Sequence, residues 1–190
     1  YLARNVDATI VALGLTIVME GEENEAIGSA DKGDNINMKL PESQLDYLRK
    51  MRGNHNKPII AVIFAGSPVD LTEVSQLADA IIYAWYPGEQ GGNAIADVIF
   101  GDVSPSGKLP ITFPKNVTQL PSYEDYSMDG RTYKYMTKEP MYPFGYGLTY
   151  GKVSISDVKI DSKTIKKNTT NKIEITLTNK GEYTAEDVIQ

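Results

Sequence analysis

Three short apolar runs, each lacking polar alternation, constrain this chain more than any other feature. Residues 7–13 read DATIVAL, residues 58–64 read PIIAVIF and residues 80–86 read AIIYAWY. Strands of this kind suit a parallel sheet covered on both faces. The segments between them have helical periodicity. In PESQLDYLRKM, Pro41 and Glu42 fit a helix start, because proline is tolerated in the first turn and a carboxylate favours the positive end of the dipole. Leu45, Leu48 and Met51 form one apolar stripe, and Gly53 is a fitting stop. GGNAIADVIFG predicts a further helix with Ile95, Val98 and Ile99 on one side, ended by Gly101, and residues 72–77 predict a weaker one. Strand, helix, strand, helix makes the expected fold class α/β, with a doubly wound, mostly parallel sheet.

Beyond Asp102 the texture changes. SPSGKLP, ITFP, LPSYEDY and MYPFGYGLTYG are dense in Pro, Gly and Tyr, which punctuate too often for regular helices. From Val153 the period becomes two, in VSISDVKI, then KIEITLTNKG, then EDVIQ. That pattern predicts about three antiparallel strands, too few to close a β-sandwich. The expected organisation is therefore an α/β sandwich over residues 1–120, an ordered connector over 121–151, and the first strands of a β-sandwich over 152–190. The chain opens on Tyr1 and stops at Gln190 inside a strand-like pattern, so it reads as part of a longer protein.

Composition narrows the function classes. The net charge is −6 and no Lys/Arg cluster is present, which argues against nucleic acid. The apolar runs are too short to span a bilayer. With no Cys there is no disulfide, thiol nucleophile or Cys-based zinc site. GDVSPSGK resembles a phosphate loop only superficially: its glycines are one residue too far apart, and Leu109 stands where Ser or Thr should meet magnesium. Neither GxGxxG nor GxSxG occurs. His55, the single histidine, lies in a polar stretch and reads as surface.

Chemistry has two candidate places. Glu20, Glu22, Glu23 and Glu25 follow the first strand in MEGEENEAIGSADKGD. Ligands of doubly wound folds bind at the carboxyl ends of strands, so a catalytic carboxylate would belong there; a solvated acidic loop is the bland alternative. Gly88, Gly91 and Gly92 follow the third strand, as a ligand loop or simply a helix start. Tyr83, Trp85, Tyr86, Tyr123, Tyr126, Tyr133 and Tyr135 read mainly as packing, with a few able to stack on sugar rings.

Several blocks, in order and spacing, resemble the C-terminal domains of glycoside hydrolase family 3. They are PESQLDYLRKM, PIIAVIFAGSPVDL, ADAIIYAWYPGEQGGNAIADVIFGDVSPSGKLPITFP, and GRTYKY followed by MYPFGYGLTY. VSISDVKI through TNKGEYTAEDVIQ looks like the start of the family's fibronectin type III-like domain. The resemblance implies part of a retaining exo-β-glycosidase, a β-glucosidase or β-xylosidase. Retention uses two carboxyl groups about 5–5.5 Å apart, one attacking the anomeric carbon and the other serving as acid and then base. In this family the nucleophile is an Asp on a (β/α)8 barrel, which this chain lacks, and the acid/base is a Glu on a loop of the α/β domain. The matching residues are Glu20-Gly21-Glu22-Glu23. Glu22 is the expected acid/base, with Glu23 the alternate. Asp34-Asn35 replaces the Asp-Arg found in many relatives, so a contact made by that Arg does not carry over.

The resemblance further implies an oligosaccharide or aryl glycoside substrate, the barrel of the same protein as partner, and neither metal nor cofactor. A periplasmic or secreted parent is expected ahead of a cytoplasmic one. EGEENE and GRTYKY look most like β-xylosidases and their close β-glucosidase cousins; choice between the two sugars turns on room for one hydroxymethyl group, mostly in the barrel. Two other classes stay open: a non-catalytic carbohydrate-binding or structural module on the same scaffold, and a doubly wound small-ligand receptor.

Overall fold

The computed structural model describes residues 5–20, 37–53 and 56–189. Glu22, Glu23, Glu25, Asp34, Asn35 and His55 lie outside the described residues.

Three parallel strands, β1 (Thr9–Gly14), β2 (Ile59–Phe64) and β3 (Ala80–Tyr83), form a sheet in the order β1-β2-β3. Thr9 pairs with Ile59 and Gly14 with Phe64; Ile60 pairs with Ala80 and Ile63 with Tyr83. Helix α1 is the single turn Ile17–Glu20, and α2 (Glu42–Gly53) connects onward to β2. α3 (Thr72–Leu77) crosses from β2 to β3, and α4 (Gly91–Phe100) follows β3. This is the expected α/β architecture. Helix α2 buries Leu45, Leu48 and Met51, the stripe its spacing dictates. They join Ile59, Ile63, Val74 and Leu71 in a dry core, where each fully buried aliphatic side chain is worth about 1.5–3 kcal/mol of transfer free energy.

Coverage of the sheet departs from the expectation. Only β2 is buried along nearly its whole length. β1 alternates, with Val11 and Leu13 buried but Ile10 51% exposed. One face of its pleat is thus better sheltered than the other. β3 also ends earlier than its apolar run. The run continues to Tyr86, but Trp85 adopts φ +54°, a left-handed turn that a strand cannot carry, so the strand stops at Tyr83.

α2 and α3 are clamped together by charge. Arg49 donates to Glu42 and Asp46 on its own helix and to Glu73 on α3. Below the amino end of β2, Arg52 donates to Asp79 and to the Leu77 carbonyl at 2.7 Å, while the Ile59 N–H donates to Asp79 at 2.8 Å.

At the other end of the sheet, Gly14 is in close quarters. A Cβ there would sit 2.0 Å from the Phe64 carbonyl oxygen. The Gln44 carboxamide accepts from the Gly14 N–H and donates to its carbonyl, each at 2.8 Å. This pairing fixes the start of α2 against the carboxyl end of β1.

Two compact units emerge: residues 1–96 with 110–144, and residues 97–109 with 145–190. In the first, the Pro- and Tyr-rich stretch adds a 3₁₀ turn (Val117–Gln119) and the one-turn helix α5 (Thr132–Tyr135). Phe113, 1% exposed, bridges to Tyr142 and packs edge-to-face on Tyr83 and Trp85. In the second, β4 (Val153–Ile160) pairs antiparallel with β5 (Ile173–Asn179), and the register shifts between Ser156 and Lys159. Both strands are largely exposed. The expected third strand, EDVIQ, is not formed over residues 186–189. A strand needs a neighbour for its backbone groups, and here Asp187 instead turns to the Lys108 ammonium at 3.1 Å. That pairing also occupies the lysine of the GDVSPSGK segment.

Candidate active site

The first acidic residue after β1 is held in place from three directions. Glu20 closes α1 and is partly buried. The Gly66 N–H points at its carboxylate, 3.3 Å from each oxygen. The Ser67 hydroxyl donates to Oε1 at 3.1 Å, and the Tyr86 hydroxyl donates to Oε2 at 2.5 Å. Gly66 and Ser67 lie just past the end of β2, and Tyr86 just past the end of β3. The carboxylate therefore sits where the carboxyl ends of all three strands converge, the place where open α/β sheets bind ligands.

The surrounding groups keep this arrangement polarised. The Tyr86 hydroxyl also lies 3.3 Å from the Leu15 carbonyl. Its pKa is pushed up to about 12, first by burial and then by the hydrogen bond to Glu20. Tyr83 donates to the Ser67 carbonyl, and its pKa is raised well above the usual tyrosine value by burial and by the charge of Glu20. Both phenols thus remain protonated donors at neutral pH. Gly66 has no room for a side chain: a Cβ would lie 2.7 Å from Tyr86 Cε2 and 3.1 Å from Glu20 Oε2.

A cleft of about 450 Å³ opens on the far side of Ser67, lined by Pro68, Ile111, Thr112, Tyr133 and Met136 among others. Its size is that of a small-molecule site. Its lining includes no carboxylate. Arg131, also in its wall, spends its guanidinium on the Ser122, Asp125 and Ser127 carbonyls. No group of three or more metal-ligating side chains exists among the described residues.

Of the acidic cluster, Glu20 is the member the structure describes; the expected acid/base residues Glu22 and Glu23 lie outside it. Sequence reasoning treated Tyr86 as packing and did not single out Gly66 or Ser67. Their relation to Glu20 spans 46 to 66 positions, and no local pattern carries it. Among the glycines after β3, Gly91 opens α4, and its N–H donates to the Gly88 carbonyl at 3.2 Å. Tyr123 and Tyr126 are about nine-tenths exposed, while Tyr133 stacks on Phe144 with centroids 4.3 Å apart.

Comparison with known proteins agrees with this architecture. The chain is 39% identical over 188 residues to a xylan 1,4-beta-xylosidase of Xylanibacter ruminicola, covering 98% of this chain and 21% of that protein. It is 37% identical over 198 residues to a periplasmic beta-glucosidase of Salmonella typhimurium, covering 97% of this chain and 26% of that protein. Among solved structures, a GH3 beta-glucosidase of Bifidobacterium adolescentis superposes with a TM-score of 0.73 at 30% identity, over 95% of this chain and 27% of that one. The chain thus spans about a fifth to a quarter of the length of these relatives. No helix among the described residues is long and apolar enough to cross a membrane. Residues 1–150 match the model of the glycosyl hydrolase family 3 C-terminal domain, and the chain belongs to that family.

Proposed function

We propose that this chain is the accessory part of a retaining exo-β-glycosidase that removes terminal β-linked glucose or xylose from oligosaccharides and aryl glycosides. Glu22 is its acid/base, with Glu23 the alternate, and the nucleophilic Asp lies on a (β/α)8 barrel elsewhere in the same protein. A periplasmic or secreted setting belongs to this reading, in keeping with the name of the Salmonella relative. Residues 121–151 serve as connector to a fibronectin type III-like domain that opens at 152.

One observation carries the reading: Glu20, the member of the acidic cluster nearest β1, is held at the carboxyl edge of the sheet by Gly66, Ser67 and Tyr86. Glu22 and Glu23 stand two and three positions further along the chain. In the first half-reaction the carboxylic acid protonates the leaving oxygen while the barrel Asp forms a glycosyl-enzyme. In the second the resulting carboxylate takes a proton from water as the water oxygen attacks the anomeric carbon, the bond to the barrel Asp breaks, and the sugar leaves with its configuration retained. Closely spaced carboxylates raise the pKa of one member, which suits a general acid near neutrality.

The test uses the full-length protein with Glu22→Gln and Glu23→Gln. The true acid/base variant should lose activity steeply on xylobiose or cellobiose, by about 10²–10⁴-fold, and little in kcat/KM on dinitrophenyl glycosides, whose leaving groups need no protonation. Normal cleavage of both disaccharides by both variants would overturn the proposal.

A further inference from the structure

We infer that Glu20 is a positioning residue, a carboxylate that does not exchange protons with the substrate but aims the acid/base two or three residues further on. This rests on the reading that Glu22 or Glu23 is that acid/base.

Three features of Glu20 argue for the role. Both of its oxygens are already claimed as acceptors, by one backbone N–H, one hydroxyl and one phenol. Three protein donors converging on one carboxylate fix the direction in which it points. The donors have partners or close neighbours of their own. Ser67 is held through its carbonyl by Tyr83, and the Tyr86 ring lies so close to Gly66 that no Cβ fits between. Finally, Glu20 is the last residue of α1, immediately before the acidic segment. Its side chain ties the chain to the ends of β2 and β3 there. Charge-assisted hydrogen bonds are about twice as strong as neutral ones, so the ionised form suits an anchor. A misplacement of about 1 Å in a reacting group can cost about 10²-fold in rate, so the anchor should be felt in turnover.

The experiment compares Glu20→Ala, Glu20→Gln and Tyr86→Phe with Glu22→Gln and Glu23→Gln in the full-length protein, using a disaccharide and a dinitrophenyl glycoside across pH. For Glu20→Ala, kcat/KM on the disaccharide should fall about 10- to 100-fold while the dinitrophenyl value falls less than about threefold. The basic limb of the pH profile should survive, because the acid/base is still present. Glu20→Gln keeps an acceptor oxygen and should recover part of the loss, and Tyr86→Phe should show a smaller loss of the same kind. Equal losses on both substrates would mean a merely structural role and overturn the inference. So would loss of the basic limb, which would make Glu20 the acid/base itself, and so would no loss at all. If Glu22→Gln and Glu23→Gln both act normally on the disaccharide, the underlying reading fails. If one of them is impaired while Glu20→Ala is not, only the positioning role fails.

Discussion

The Tyr86 hydroxyl donates to the Glu20 carboxylate at 2.5 Å, joining the end of β3 to the start of the acidic segment across 66 positions. Gly66 underlies the pair, with the Tyr86 ring packed over it. Gly66→Ala should push the ring aside. Tyr86 is 47% exposed and can swing outward, so the loss of stability should stay within about 1 kcal/mol. The pairing with Glu20 would nevertheless be broken. Turnover of a disaccharide by the full-length protein should therefore fall, and combining Gly66→Ala with Glu20→Ala should add little to either alone, because the two act through one contact. A strictly multiplicative double-mutant cycle would contradict this.

The core of the sheet should respond differently. Leu48 is fully buried on α2, whereas its neighbour Tyr47 is 58% exposed. Leu48→Ala should cost about 2–5 kcal/mol through lost transfer energy and the cavity left behind. Tyr47→Ala should change stability by less than about 0.5 kcal/mol. The unfolding midpoints of the two variants in urea provide the comparison.

Acid should loosen the clamp at the helices and the amino end of the sheet. Asp79 lies below the ordinary carboxylate range because the Ile59 N–H and then Arg52 favour its charged form. Glu73 is lowered chiefly by its hydrogen bond from Arg49. A carboxylate with a folded-state pKa below its unfolded value adds stability above the unfolded value, near pH 4, and loses it as pH falls through the folded one. Stability should therefore drop on going below about pH 4, and Asp79→Asn should flatten that part of the curve. Thermal midpoints measured from pH 6 down to pH 2 would reveal an unchanged slope if the account is wrong.

If the nucleophilic Asp lies on a barrel elsewhere in the protein, as proposed, residues 1–190 purified alone should release no sugar from aryl glucosides or aryl xylosides. A colorimetric assay with dinitrophenyl substrates is the most permissive form of this measurement. Turnover by the fragment would place the nucleophile within this chain.

Much of the fold was legible because it is locally encoded. Pro41, Glu42, the Leu45–Leu48–Met51 stripe and Gly53 each have a reason to sit where they do in α2, and the helix runs Glu42–Gly53. The end of β3 was not legible, since AIIYAWY stays apolar through Tyr86 and hydrophobicity is silent about the left-handed turn at Trp85. EDVIQ alternates like a strand, yet strand formation depends on a neighbour that the pattern does not supply. The site divides in the same way. That a carboxylate would stand just past the end of β1 was legible in the sequence, and Glu20 closes α1 there. That Glu20 would be tied to Gly66, Ser67 and Tyr86 depends on strands brought together by folding, and nothing near Glu20 in the chain announces it. The choice of Glu22 over Glu23 concerns residues the structure does not describe.

The most direct measurement of the account's central claim is chemical rescue. Full-length Glu22→Gly and Glu23→Gly variants should be given a dinitrophenyl glycoside and sodium azide. Where the acid/base has been removed, the glycosyl-enzyme still forms, and azide, no longer repelled by a carboxylate, attacks in place of water. The account predicts faster turnover and a glycosyl azide of retained β configuration for one of the two variants. No azide adduct from either, with rates unchanged by azide, would contradict it.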